Sequence, residues 1–198
     1  MRIGIEINGV LRDTILKFKQ LYVKFHIDPF LETTEKPNFE YKIKEPITSL
    51  NLMDHFAFQS KDEFYSFMYE DHPMEIFGHS PSVELSTMHD LNEFYYDMRD
   101  SHDIIIVSDE IGKSKPASLF FLSKFGCLLE KINFYSEITI NSMWDGLDIL
   151  LTANPELLLK KPDNKFVIKF ETYYNKEVYS EYTIKSLKEL KTKLEEIL

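Results

Sequence analysis

Three apolar runs end in residues that could do chemistry. The first, Arg2-Ile3-Gly4-Ile5-Glu6-Ile7-Asn8-Gly9, delivers a carboxylate and a carboxamide into a glycine turn. The second, Asp103-Ile104-Ile105-Ile106-Val107-Ser108-Asp109, ends in a hydroxyl suited to hydrogen-bonding a phosphate oxygen. The third, Asp148-Ile149-Leu150-Leu151-Thr152-Ala153-Asn154-Pro155, ends in a short polar turn with no acid in it. Asn8 does not titrate near neutral pH, so it cannot shuttle a proton. Lys113 and Lys115 follow Ser108 closely and are the cations nearest to it, whereas no Lys or Arg occurs between Ile132 and Leu159.

The β-branched runs read as buried parallel strands, covered on both faces by helices. A helix is predicted from Asp13 or Thr14 to about 26, with Ile15, Phe18, Leu21, Tyr22 and Phe25 at helical spacing. Pro29, Pro46, Pro73 and Pro81 punctuate the next segment, whose aromatics gather in Phe56-Ala57-Phe58 and in Phe64 to Tyr69. Within it a helix is predicted from Ser60, with Glu63 completing a capping box, to about Asp71. Further helices are predicted over about 82–100 and 114–125, a short one after Pro155, and a terminal one from about Ser186. Phe166–Phe170 reads as a strand and Val178–Tyr182 as a second, forming a hairpin that closes the sheet. Leu187, Leu190, Leu194 and Leu198 stand at near-heptad spacing, which packing of the terminal helix onto its own domain explains at least as well as a coiled coil. The alternating acids and tyrosines of 171–182 offer a second reading, an edge presented to another protein.

The order and spacing of these strand ends resemble the haloacid dehalogenase (HAD) superfamily, in its deoxynucleotidase-like branch. That resemblance covers about Met1–Lys161, and the chain is also similar to small phage-encoded HAD-like proteins with Ile7-Asn8-Gly9-Val10-Leu11-Arg12-Asp13 and Thr152-Ala153-Asn154-Pro155. The resemblance implies an α/β fold: a three-layer Rossmann-like core with a parallel sheet and a small inserted helical cap. It places one domain over 1–198 and the cap over about 28–81. It also implies a site, because the family carries a nucleophilic Asp where Glu6 stands and an acid/base Asp where Asn8 stands. Glu6 is one methylene longer, which displaces its oxygen by roughly 1 Å from a geometry that needs contact at about 3–3.5 Å. The family's Mg2+-binding acidic pair falls on Thr152 and Ala153, so metal loses its hard anionic ligands. Ser108 keeps the family pattern, with the late Lys missing.

From this we expect a catalytically inactive pseudo-phosphatase that serves as a binding or assembly module, a phage accessory or virion-associated protein by resemblance. Two alternatives are a weak Mg2+-dependent phosphatase or 5'-nucleotidase, which would be a phosphoric monoester hydrolase with Glu6 as slow nucleophile, and a phosphometabolite sensor. The degenerate motif positions are Glu6, Asn8, Ser108, Thr152 and Ala153. Any bound phosphate would meet Ser108, Asp109, Lys113, Lys115 and the backbone at Gly9. No cofactor is expected, Mg2+ entering only with residual phosphatase activity. Asp148 cannot replace the acidic pair, because at about 3.3 Å per residue it starts its strand more than about 10 Å from the ligand-binding edge.

Composition sets further bounds. With 33 acidic against 23 basic residues and a net charge of -10, the surface repels nucleic-acid phosphate, so no direct nucleic-acid binding is expected. The expected partner is a protein, either a second copy of the chain or a phage assembly. The single Cys127 forms no internal disulfide and reads as a small buried hydrophobe. No run approaches the roughly 18 apolar residues of a membrane span, and a core strand at residue 3 leaves no room for a leader, so the expected location is cytoplasmic, in a host cell or a virion. His55, His72, His79 and His89 are expected as solvated or helix-surface residues with no metal among them. The aromatic segment invites a base-stacking pocket, but with 16 Phe and 11 Tyr in the chain ordinary core is the simpler reading.

Overall fold

The computed structural model describes residues 1–28 and 39–198. Pro29 and the beginning of the predicted 28–81 insertion lie outside the described residues. Six parallel strands form one sheet: β1 (Arg2–Glu6), β2 (Asp103–Asp109), β3 (Ile132–Tyr135), β4 (Ile149–Thr152), β5 (Phe166–Phe170) and β6 (Tyr182–Ile184), in the order β3-β2-β1-β4-β5-β6. The chain leaves β1 for one side of the sheet and returns to β4 on its other side. A crevice therefore opens at the carboxyl ends beside β1, where open α/β sheets bind ligands.

Side-chain alternation along β2 gives the sheet two buried faces. Ile104 and Ile106 join one cluster with Ile15, Phe18, Leu91, Phe121, Leu190 and Leu194. These come from α1 (Thr14–Tyr22), α3 (Thr87–Met98), α4 (Ser114–Lys124) and α7 (Leu190–Ile197), with α2 (Lys61–Tyr65) lying in the segment between α1 and α3. Ile105 and Val107 join the opposite cluster, which holds Met143, Trp144, Leu157 and Leu158 from α5 (Ile140–Asp145) and α6 (Pro155–Leu159). The result is the three-layer Rossmann-like core that the sequence predicts.

Local chemistry explains most boundaries. Asp13 caps α1 by accepting from the Leu16 N–H, and Asn154 caps α6 by accepting from the Glu156 N–H with Pro155 in its first turn. Ser60 caps α2 through the Glu63 N–H, but the Glu63 carboxylate reaches back to the Gln59 N–H rather than to Ser60. The predicted helix continues beyond α2 as wider π turns over Ser66–Asp71. Phe56, Phe58, Phe64 and Phe67 all pack around Phe18 of α1, with ring centroids 4.9–6.2 Å away. The aromatic segment is thus mostly core, as its simpler reading holds.

Three expectations are corrected. The helix predicted from 82 begins at Thr87, because the backbone before it is engaged elsewhere: Asp13 N–H donates to Pro81 O, and Val83 N–H to Leu11 O. The last strand is Tyr182–Ile184 rather than Val178–Tyr182, and it runs parallel to β5 rather than closing a hairpin. Its connection is tied at the carboxyl edge by buried Asn175, which accepts from Thr172 N–H and donates to Ala153 O and Phe170 O, so the chain must travel back before pairing. His55 is buried rather than solvated, its ring meeting Lys44 O at 3.1 Å and Ser49 Oγ at 3.2 Å. Leu187, Leu190 and Leu194 bury into their own domain, as expected, while Leu198 stays exposed. Cys127 is half-buried against the core. Among the described residues no helix is long and apolar enough to cross a membrane.

Candidate functional site

Strand register assembles the site. Glu6 pairs with Val107, so Ser108 lies one residue beyond it on β2, and Ile5 pairs with Leu151, which sets Thr152 beside Glu6. Asp109 pairs with Tyr135 at the end of β3. Residues 6, 8, 108, 152 and 153 therefore gather at the carboxyl edge of the sheet. The fold is an open α/β sheet of six parallel strands with helices on both faces.

No family model matches the chain, and no curated protein matches it. Among solved structures it is similar to a haloacid dehalogenase-like family hydrolase from Xanthomonas campestris, with 10% identity and a TM-score of 0.48 over 100% of this chain and 95% of that one.

At the floor of this edge, Glu6 is buried and both its oxygens are occupied: Tyr135 Oη donates to Oε1 at 2.6 Å, and the Thr152 hydroxyl donates to Oε2. Burial pushes the carboxyl up to about 7 against the two hydrogen bonds, with Asp109 and Glu110 adding like-charge repulsion. Asn8 is held as firmly. Its Oδ1 accepts from Arg12 Nη2 at 2.6 Å and from Thr14 Oγ1 at 2.7 Å, while Nδ2 faces Ser108 Oγ at 3.5 Å. Gly9 turns the chain with φ +79°, and a Cβ there would lie 2.0 Å from Tyr174 Oη, so only glycine fits.

Arg12 is the centre of this network and has no functional reading in the sequence. Its side chain is fully buried, paired with equally buried Glu110 at 2.6 Å and packed between the Phe77 and Phe121 rings. All five of its N–H groups are used: Nε donates to Thr14 Oγ1, Nη1 to Phe77 O and Ser118 Oγ, and Nη2 to Asn8 Oδ1 and Glu110 Oε1. None remains for a phosphate. Ser108 is likewise engaged, its hydroxyl donating to Glu110 Oε1 at 3.1 Å.

The cations near Ser108 point elsewhere. Lys113 pairs with Glu70 at 2.7 Å on the surface, and Lys115 lies 5.7 Å above the Phe134 ring. Gly9 lines a smaller adjoining pocket of about 280 Å³. The main crevice, about 590 Å³, is lined by Glu6, Asp109, Glu137 and Glu156, with Lys160 as the single cation among the described residues that line it. Lys160 is itself paired with Glu156 at 2.9 Å.

The donor set does not fit Mg2+. Thr152 gives its hydroxyl to Glu6, Ala153 has no donor and is fully buried, and Asp148 sits at the opposite edge, accepting from the Arg2 N–H. Among the described residues, one set of three acid or histidine donors converges within 4.8 Å, His89, Asp90 and Glu93 on α3, and none of these lines the crevice. Placing an acid at 153 puts a carboxyl into a fully buried position. Ala153→Asp is expected to lower stability by about 2 kcal/mol through overpacking and an unpaired buried carboxyl. A urea midpoint unchanged by this substitution would show that the edge has room for the acid.

Sequence reasoning missed Arg12, Glu110 and Tyr135. Glu110 stands two residues beyond Ser108, and Tyr135 ends the short run Ile132-Asn133-Phe134-Tyr135, the only local signals that could have flagged them.

Proposed function

We propose that this chain is a catalytically inactive HAD-like protein, a pseudo-phosphatase used as a binding or assembly module. The observation that carries this reading is the occupation of both Glu6 oxygens by Tyr135 and Thr152 beside an Asn8 locked by Arg12. The acid, the base and the metal ligands of phosphoryl transfer are replaced here by an internal hydrogen-bond network, and catalysis of that reaction rests on positioned charge. The described part of the segment between α1 and α3 acts as the cap over the crevice, fixed to the core through Phe77 O on Arg12.

One observation favours the weak-phosphatase alternative: Glu6 faces the crevice and, with its pKa near 7, is about half ionised at neutral pH. The sensor alternative is disfavoured, because four carboxylates against one paired lysine repel a phosphorylated ligand.

The deciding experiment is turnover of phosphorylated metabolites and deoxynucleotides with Mg2+ at high protein concentration, wild type against Glu6→Ala. No turnover above the control is expected. Turnover lost in Glu6→Ala would replace the inactive reading with a glutamate-dependent phosphatase.

A further inference from the structure

On the first turns of α3, outside the crevice and the pocket beside it, an imidazole and two carboxylates of unlike burial meet. His89, Asp90 and Glu93 each bring one donor atom within 4.8 Å of the other two. Their spacing accounts for this, because residues three and four apart are neighbours on a helix surface. No second histidine takes part, so the spacing of histidines along the chain gives no sign of the set.

Asp90 is the member that a surface ion pair does not explain. It is 5% exposed, whereas His89 and Glu93 stand open to solvent. Ser86 Oγ donates to one Asp90 oxygen at 2.7 Å, and the other oxygen receives no hydrogen bond among the described residues. Nor does any Lys or Arg among the described residues pair with this carboxylate. Buried charges are paired or coordinate metals, and Asp90 has no such pair. The separation of its two neighbours points the same way. His89 Nε2 and Glu93 Oε1 lie 3.4 Å apart, beyond the roughly 2.7–2.9 Å of a charge-assisted hydrogen bond. That spacing matches two ligands of a zinc tetrahedron, which stand roughly 3.3–3.5 Å apart when each bond is about 2.0–2.2 Å.

We propose that His89 Nε2 and the carboxylates of Asp90 and Glu93 bind a zinc ion on the surface of α3. The imidazole nitrogen sets the class of metal, since Mg2+ and Ca2+ take oxygen ligands and imidazole suits zinc. Ser86 is the positioning residue: its hydroxyl holds one Asp90 oxygen and leaves the other for the ion. Three protein ligands leave the fourth position open to water or to a donor from outside. The site is separate from the crevice, so it stands whether or not the crevice does chemistry.

The test is calorimetric titration of the full chain with Zn2+ in excess Mg2+, which occupies sites made of carboxylates alone, while NMR follows the His89 ring. Saturation at one equivalent is expected, with the His89 ring resonances shifting in step. His89→Gln and Glu93→Gln, both at exposed positions, should each weaken binding by about tenfold or more, while His79→Gln, also exposed, should leave it unchanged. Asp90→Asn should weaken it as much, and because that position is buried, the two exposed variants keep the test independent of folding. Absent saturation or an unchanged affinity in His89→Gln would overturn the proposal. So would an equal loss in His79→Gln, which would mark adventitious binding to surface histidines.

Discussion

Replacing Arg12 by Met is expected to destabilise the protein by about 3–5 kcal/mol, the range for removing one partner of a buried ion pair. The guanidinium and the Glu110 carboxylate are both fully buried, so the variant strands a charge with only Ser108 and Ser118 hydroxyls to stabilise it. It also releases Phe77 O and Asn8 Oδ1 from their donors, loosening the 74–78 turn and the loop after β1 together. Glu110→Gln added to Arg12→Met should recover part of the loss, because no uncompensated charge then remains. Urea unfolding followed by far-UV circular dichroism and by the single tryptophan, Trp144, buried on the opposite face of the sheet, reads both variants. A loss below about 1 kcal/mol for the single variant would show that water or a rearranged neighbour replaces Arg12, and that the network is not what holds the edge together.

The network was the least legible part of the molecule, and the reason is physical. Ile-rich β1 and β2, and Leu-rich β4, are buried on both faces, so composition alone marks them, and α1 is marked by Ile15, Phe18 and Leu21 at helical spacing. The strand β3 gives no such signal: it lies at the sheet edge, half exposed, with Asn133 in its middle, and Tyr135 was lost with it. Nothing local in the sequence marks Arg12 as buried. Its partner Glu110 is 98 positions away, and only the pairing of β1 with β2 brings the two together. The positions of Glu6, Asn8, Ser108, Thr152 and Ala153 were legible because each lies at or just past the carboxyl end of a strand. What their side chains do was not, since Glu6 answers to Tyr135 and Thr152 rather than to a substrate.

That answer carries a pH signature. Glu6 rises from an ordinary 4.5 to about 7, because burial outweighs the hydrogen bonds from Thr152 and Tyr135, and Asp109 and Glu110 add repulsion. The folded protein therefore holds a proton that the unfolded chain has released between these two values. Stability is full below about 4.5, falls as pH rises toward 7, and is flat above, with a total change of about 3 kcal/mol from this group. Glu6→Gln should remove most of that fall, leaving the smaller contribution of Asp109, which has the same sign. Asp103, held low by Lys131 and Arg2, acts only in a more acid window and does not mask the effect. Urea midpoints of wild type and Glu6→Gln at pH 5 and pH 8 decide the matter: equal slopes would mean that Glu6 is ionised throughout and that its two donors, not burial, set its charge.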